Sequence, residues 1–171
     1  MKKLERALLY KGFHMHKRGD KYIVVDGERV SGFWVIGYLN LTSGLAFITP
    51  YNLDATYNPE ASTLLSPSVP VVKDTVCMFT GLEDCQEKSK LICQDDIVEY
   101  NDGIHYFKGK VVYACGAFGI GTDDTIPLDY SDSCRNDNFI SFWELMEHQE
   151  VVEDNVVDYV TVICNVWEVE E

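Results

Sequence analysis

Residues 21–49 read KYIVVDGERVSGFWVIGYLNLTSGLAFIT. Lys21 to Val25 is β-branched and aromatic, and Phe33 to Leu41 is so again. Between them lies Asp26-Gly27, a dipeptide that accepts positive φ at both central positions of a tight turn, so the stretch predicts a β-hairpin. Ser43-Gly44 then separates the second run from Leu45 to Thr49, which predicts a third strand. Residues 31–53 carry no charge. A sheet with no charge on either side has both faces covered, by the rest of its domain or by another subunit.

Outward from this stretch, Pro50, Pro59, Pro67 and Pro70 crowd a segment rich in Ser, Thr and Asn. Proline fixes its own φ and restricts the residue before it, so 54–72 reads as an extended Pro-rich connector. It separates an N-terminal β-hairpin region, 1–53, from a C-terminal β-barrel domain, 73–171. In the latter, Asp74 to Phe79, Ile97 to Tyr100, His105 to Phe107, Lys110 to Ala114 and Tyr159 to Val166 read as strands, with Asn101-Asp102-Gly103 as a turn. Phe139, Phe142, Trp143 and Met146 recur instead at helical spacing, and Ser141 with Glu144 fits a capping box. That predicts one short α-helix near 139–149. Gly121 to Asp137 reads as a long polar surface loop. The expected fold class is mainly β, with a small SH3-like or related barrel.

The chain has 171 residues, 46% of them apolar, which is ample for a packed core. Its net charge of −14 is uneven: residues 1–30 hold eight Lys/Arg against four acids, +4, and residues 54–171 hold six against twenty-four, −18. Phosphate contacts come from Lys and Arg, so only the basic arm of Lys2, Lys3, Arg6, Lys11, Lys17, Arg18 and Lys21 is suited to nucleic acid. The apolar stretch after Met1-Lys2-Lys3 is only Ala7 to Tyr10, too short for a signal peptide. The uncharged run from Val30 to Leu53 is broken by glycines, polar residues and Pro50, which does not suit a spanning helix. A soluble, cytoplasmic protein without membrane contact is expected.

Cys77, Cys85, Cys93, Cys115, Cys134 and Cys164 lack the spacing of a zinc knuckle or a C-x-x-C redox pair. Cys77, Cys93, Cys115 and Cys164 lie among apolar neighbours and read as buried thiols. His14 and His16 share a face of a strand, but Lys17-Arg18 opposes a cation there. Asp95-Asp96, Asp123-Asp124 and Glu153-Asp154 are adjacent pairs; on a strand the members of each point to opposite faces, unlike a converging acid and base, and Asp123-Asp124, in a loop, lacks the fixed spacing of a calcium loop. Gly116 to Gly121 has the order G-x-x-G-x-G, with no Lys-Ser/Thr pair after it, and reads as a glycine-kinked strand. His105 and His148 are the histidines available to a nucleophile in the larger domain, and no G-x-S-x-G motif accompanies them. Arg18-Gly19-Asp20 reads as a turn, and the sequon Asn40-Leu41-Thr42 matters only after secretion. No catalytic residue, cofactor or metal is expected.

One pattern is more specific. Cys77-Met78-Phe79-Thr80-Gly81-Leu82-Glu83-Asp84, followed by Leu91-Ile92-Cys93-Gln94-Asp95-Asp96-Ile97-Val98, resembles the T-G-L-x-D and D-I-V signature of the phage-encoded YopX family. Gly27 to Leu39, Phe47-Ile48-Thr49-Pro50, Gly109-Lys110-Val111-Val112-Tyr113 with Gly116-Ala117-Phe118, and Val160 to Val166 resemble further elements of that family. The chain departs at three glycines: a D-x-x-G turn becomes Asp84 to Lys90, E-G-D becomes Gln94-Asp95-Asp96, and I-G-N becomes Ile163-Cys164-Asn165. The resemblance implies a small, mainly-β phage or prophage protein of the host cytoplasm without established enzymatic activity. In that setting, Gly81 takes positive φ at a hairpin corner, Leu82 turns into the core, and Asp96 binds neighbouring backbone N–H groups.

The function these features predict is a non-enzymatic protein-interaction module with an unidentified host or phage partner. Homo-oligomerisation through Phe33, Trp34, Tyr38, Leu39 and Phe47 is its corollary. The alternative is a nucleic-acid role, either contact by the basic arm or mimicry of DNA by the acidic C-terminal domain.

Overall fold

The computed structural model describes residues 9–50, 68–86, 90–114, 116–122, 139–147, 149 and 155–169. Among these residues it is mainly β, with strands β1 (Tyr10–Met15), β2 (Lys21–Val25), β3 (Glu28–Thr42), β4 (Leu45–Pro50), β5 (Val69–Asp84), β6 (Leu91–Cys93), β7 (Asp96–Asn101), β8 (Tyr106–Ala114), β9 (Ala117–Gly121), β10 (Phe139–Ser141), β11 (Val156–Val157) and β12 (Val160–Asn165), and the helix α1 (Phe142–Glu147). Among the described residues no helix is long and apolar enough to cross a membrane. The chain forms two compact units, Met1–Met78 with Trp167–Glu171, and Phe79–Val166. The sequence places the passage between regions at 54–72; the units divide within β5, which already begins at Val69, and 54–67 lies outside the described residues.

In the first unit both turns read from the sequence form. Asp26 and Gly27 take φ of 52° and 82°, and Ser43 and Gly44 take 51° and 82°. Positive φ at both central residues is the two-residue hairpin turn that matches strand twist, and it sets Val25 opposite Glu28 and Thr42 opposite Leu45. Gly32 is in register with both Met15 and Lys21, so β1 and β2 follow one another along β3 with 16–20 as an excursion between them. The pairing returns on itself, β1 to β3, β3 to β4, β4 to β5 and β5 to β1.

Cross-strand partners share a face. Phe13 lies opposite Trp34 and Ile23 opposite Val30, and both Phe13 and Ile23 are fully buried. On the other face of β3, Leu39 lies opposite the buried Ile48, and a Cβ at Gly12 would stand 3.0 Å from Ile48 Cδ1 and from Val71 Cγ2. Both faces of the uncharged sheet therefore bury apolar side chains within the unit itself, while Phe33, Tyr38, Leu41 and Leu45 stay exposed. Where β1 and β5 lose register, the Phe13 N–H donates to Thr75 Oγ1 (2.9 Å), so the buried amide keeps a partner.

The second unit layers the antiparallel sheet β10-β9-β8-β7-β12 against α1, β6 and β11. Its core is Ile92, Val98, Val111, Ile120, Phe142, Leu145, Val157, Val160 and Val162. The helix differs from the expectation over 139–149. Residues 139–141 form β10, paired with β9, and α1 spans 142–147. The capping box forms: Glu144 Oε2 accepts the Ser141 N–H (2.9 Å), and Ser141 Oγ accepts the Glu144 N–H (3.2 Å). The inward face is Phe142 and Leu145, with Met146 packed against the core, whereas Trp143 is 71% exposed. Tyr106, Phe107 and Lys110 to Ala114 belong to the single strand β8, which leaves His105 just before it, and Gly116 to Gly121 contains β9, as a strand reading requires.

Candidate functional site

The signature residues lie where β5, β6, β7 and β12 come together in the second unit. Thr80 Oγ1 donates to the Ile92 carbonyl (2.7 Å) and accepts the Leu82 N–H (3.2 Å), while Gly81 takes φ of 88°, which glycine adopts without strain. The chain turns there, and Leu82 packs against the core. Asp84 is fully buried; its Oδ1 accepts the N–H of Lys90 (2.7 Å) and Gln86 (3.4 Å), and its Oδ2 accepts that of Val162 (3.0 Å). Asp96, also fully buried, accepts the Cys93 N–H at Oδ2 (2.8 Å) and the Asn165 side-chain amide at Oδ1 (3.0 Å).

A buried carboxylate is costly unless N–H groups surround it, and these two are surrounded by donors from neighbouring strands. Their chemistry is to fasten strand ends. Asp95, where the resemblance expects glycine, takes φ of 64°, so the turn persists with an aspartate in the left-handed region. Burial pushes the Asp95 carboxyl above its ordinary range, Lys110 pulls it back and the Asp96 charge adds to the rise.

At the tip of the β7–β8 hairpin, Asp102 collects the N–H of Ile104 (2.8 Å) and His105 (2.6 Å), the His105 Nδ1–H (3.0 Å) and the Tyr100 hydroxyl (3.2 Å). The backbone and ring N–H bonds of His105, with that of Ile104, hold its carboxyl well below the usual range. Tyr100 is raised by burial and then by its bond to Asp102, and its ring stacks on Phe107 at 4.8 Å. His105 and Asp102 thus have the relative placement of a histidine and its orienting acid, but the His105 side chain is 71% exposed on a turn. A general base needs a shaped, partly desolvated site, whereas this carboxylate caps its own turn. His148 lies outside the described residues.

His14 Nδ1–H donates to the Pro70 carbonyl (2.8 Å), and His16 Nδ1 accepts the Arg18 N–H (3.2 Å). The rings are 6.1 Å apart and His16 lies 5.2 Å from the Phe33 ring, an aromatic row with both Nδ1 atoms engaged. Among the described residues no group of three or more His, Cys, Asp or Glu is placed to hold a metal ion. Cys77 and Cys93 are buried free thiols and Cys164 is half-buried; Cys115 and Cys134, Asp123-Asp124 and Glu153-Asp154 lie outside the described residues.

The described residues of the basic arm do not share one exposed surface. Lys11 is buried with its ammonium 4.8 Å from the Trp34 ring centroid, and Lys21 Nζ pairs with Glu168 at 3.0 Å. Lys17 and Arg18 are exposed, and Lys2, Lys3 and Arg6 lie outside the described residues. Of the aromatic set read from the sequence, Trp34, Leu39 and Phe47 are half-buried, while Phe33 and Tyr38 are 36% and 48% exposed.

Sequence reasoning misses the segment Trp167–Val169. Glu168 Oε1 accepts the Trp34 Nε1–H (2.9 Å) and its Oε2 accepts from Lys21. Glu168 also forms a bridge with Ile23 beside β2, and the Val169 N–H donates to the Tyr22 carbonyl (2.9 Å). The available signal was the alternation Trp167-Glu168-Val169 just past a strand. No family model matches the chain, and no curated protein or solved structure matches it.

Proposed function

We propose that the chain is a non-enzymatic protein-interaction module, a YopX-like phage or prophage protein working in the cytoplasm of a bacterial host. The observation that supports this most is the set of large apolar side chains held out from otherwise well-packed elements: Ile104 is 86% exposed, Trp143 71%, Tyr106 63%, Leu45 62% and Leu41 60%. Exposed aromatic and aliphatic anchors on rigid turns and a capped helix are what a partner buries at the centre of an interface. The SH3-like or related barrel of the C-terminal domain, 73–171, belongs to the same proposal, supported by the five-stranded antiparallel sheet of the second unit. Homo-oligomerisation through Phe33, Tyr38 and their neighbours belongs to the same proposal.

The test is capture from host cells carrying the phage, with the intact chain and with an Ile104→Asp/Trp143→Asp variant as paired baits. A defined protein retained by the first and lost by the second supports the reading. Equal retention by both, or retention only of nucleic acid lost in high salt, overturns it.

A further inference from the structure

Within the first unit, β2 is bonded to β3 along one side, and on its other side lies the short segment Trp167–Val169, bridged at Glu168 to Ile23. An outer strand edge is a ready template for another extended segment. Here the edge comes with a reader for one side chain. The Trp34 indole N–H and the Lys21 ammonium, 2.9 Å and 3.0 Å from the two oxygens of Glu168, converge on a single carboxylate. The Tyr22 carbonyl receives the following residue's amide at 2.9 Å, so one strand register places the acid and main chain together.

The reader is preorganised. Phe13 meets the Trp34 ring edge to face at 5.3 Å and 76°, and the Lys11 ammonium stands over it at 4.8 Å, which fixes the direction of the indole N–H. The acid is the most enclosed side chain of the present occupant. Glu168 has a side chain only 13% exposed, whereas Trp167 and Val169 on either side are 38% and 37% exposed. Over a competing strand the resident segment has the added advantage of its tether.

We infer that the β2 edge is a docking site for an extended acidic segment of a partner protein, read as aromatic–Glu–aliphatic, and that the chain's own Trp167–Val169 is a resident stand-in which such a segment displaces. This rests on the interaction-module reading and names the partner's chemistry. Recognition is by strand addition: main-chain bonds to β2 give affinity, and the Trp34–Lys21 pair gives selection for the carboxylate.

The test uses the full-length chain and a fluorescent peptide of the sequence of residues 165–171. In the wild type the tethered tail competes at an effective concentration on the order of millimolar, so the peptide binds weakly. Glu168→Lys sets two ammonium groups against each other, releases the tail and should tighten peptide binding at least about tenfold. Adding Lys21→Ala or Trp34→Phe removes that gain, as does a glutamine at the central position of the peptide. Glu168→Gln, which keeps the side-chain size, gives a smaller gain in the same direction and guards against misfolding of the charge reversal. Peptide binding that is no tighter in either Glu168 variant, or a gain indifferent to Lys21→Ala, overturns the inference. Either result leaves the Ile104/Trp143 capture experiment standing, so the two failures are told apart.

Discussion

The two units solve the same problem, fastening strands that are distant in sequence, in opposite ways. The first places its buried aromatic and aliphatic side chains on both faces of β1 and β3, with Phe13 and Ile23 on one and Ile48 on the other. The second has a sheet whose inner face packs on α1, while its outer face carries the cross-strand pair Glu99–Lys108. It joins its loops through the buried carboxylates of Asp84 and Asp96. Apolar packing is forgiving of direction, whereas a carboxylate ringed by amides demands one geometry. The first unit is therefore a scaffold that tolerates exposed variation, and the second depends on a few irreplaceable atoms.

The largest expected effect comes from Phe13→Ala. Removing a fully buried phenylalanine that also meets Trp34 at 5.3 Å should cost about 4 kcal/mol. If the units unfold separately, amide exchange in urea speeds up at Ile23 and Ile48 and leaves Val98, Val111 and Ile120 unchanged. Equal loss of protection in both sets would show that the contrast has no thermodynamic meaning.

Asp84→Ala is the mirror experiment. It strips the Lys90, Gln86 and Val162 amides of their acceptor in a buried site and should cost about 3 kcal/mol, felt at Val98, Val111 and Ile120. Asp84→Asn keeps one oxygen and loses less. A ring of alanine-tolerant amides, with unchanged urea midpoints, would break the argument that polar atoms specify this unit.

How much of this was legible follows the same division. The first unit's hairpins were readable because Asp26-Gly27 and Ser43-Gly44 are local signals, each confined to two residues that must take positive φ. The capping box at Ser141 and Glu144 was readable for the same reason. Local signals fail where a partner is far along the chain. Val69 to Val71 read as connector because the prolines dominate, yet those residues pair with β4, where Phe47 faces Pro70. Phe139 looked helical by spacing, and its pairing with Gly121 in β9 overrides that pattern. Trp143 read as core because Phe142 and Met146 share its neighbourhood, but inward packing selects Phe142 and Leu145. The Glu168 contacts with Trp34 and Lys21 were unreadable, since nothing near residue 168 names a partner well over a hundred positions away.

A smaller effect tests whether α1 belongs to the second unit's core. Ser141→Ala removes the cap that accepts the Glu144 N–H and should cost about 1 kcal/mol, with faster exchange at Glu144 and Leu145 and no change at Ile23. No loss of stability would mean that packing of Phe142 alone holds the helix.

The smallest effect sharpens the role of aspartates by sign, because the two ends of β7 carry acids shifted in opposite directions. Asp95 is raised, chiefly by burial. The folded protein then binds its proton more readily than the unfolded chain does, so Asp95 favours folding most below the ordinary value of about 3.9 and progressively less as pH rises through its folded value. Asp102 is lowered by the N–H bonds of His105 and Ile104, so its contribution is present above about 3.9 and is lost as pH falls toward its folded value. Asn tolerates the φ of 64° at position 95, so Asp95→Asn should stabilise the chain at neutral pH, with the gain disappearing in acid. Asp102→Asn should destabilise at neutral pH, with the loss shrinking in acid. Urea midpoints between neutral and acid pH read both, and carboxyl NMR titrations assign the proton to each residue. Matching slopes for the two variants would mean that turn geometry, and not the carboxylate environment, sets what each aspartate does.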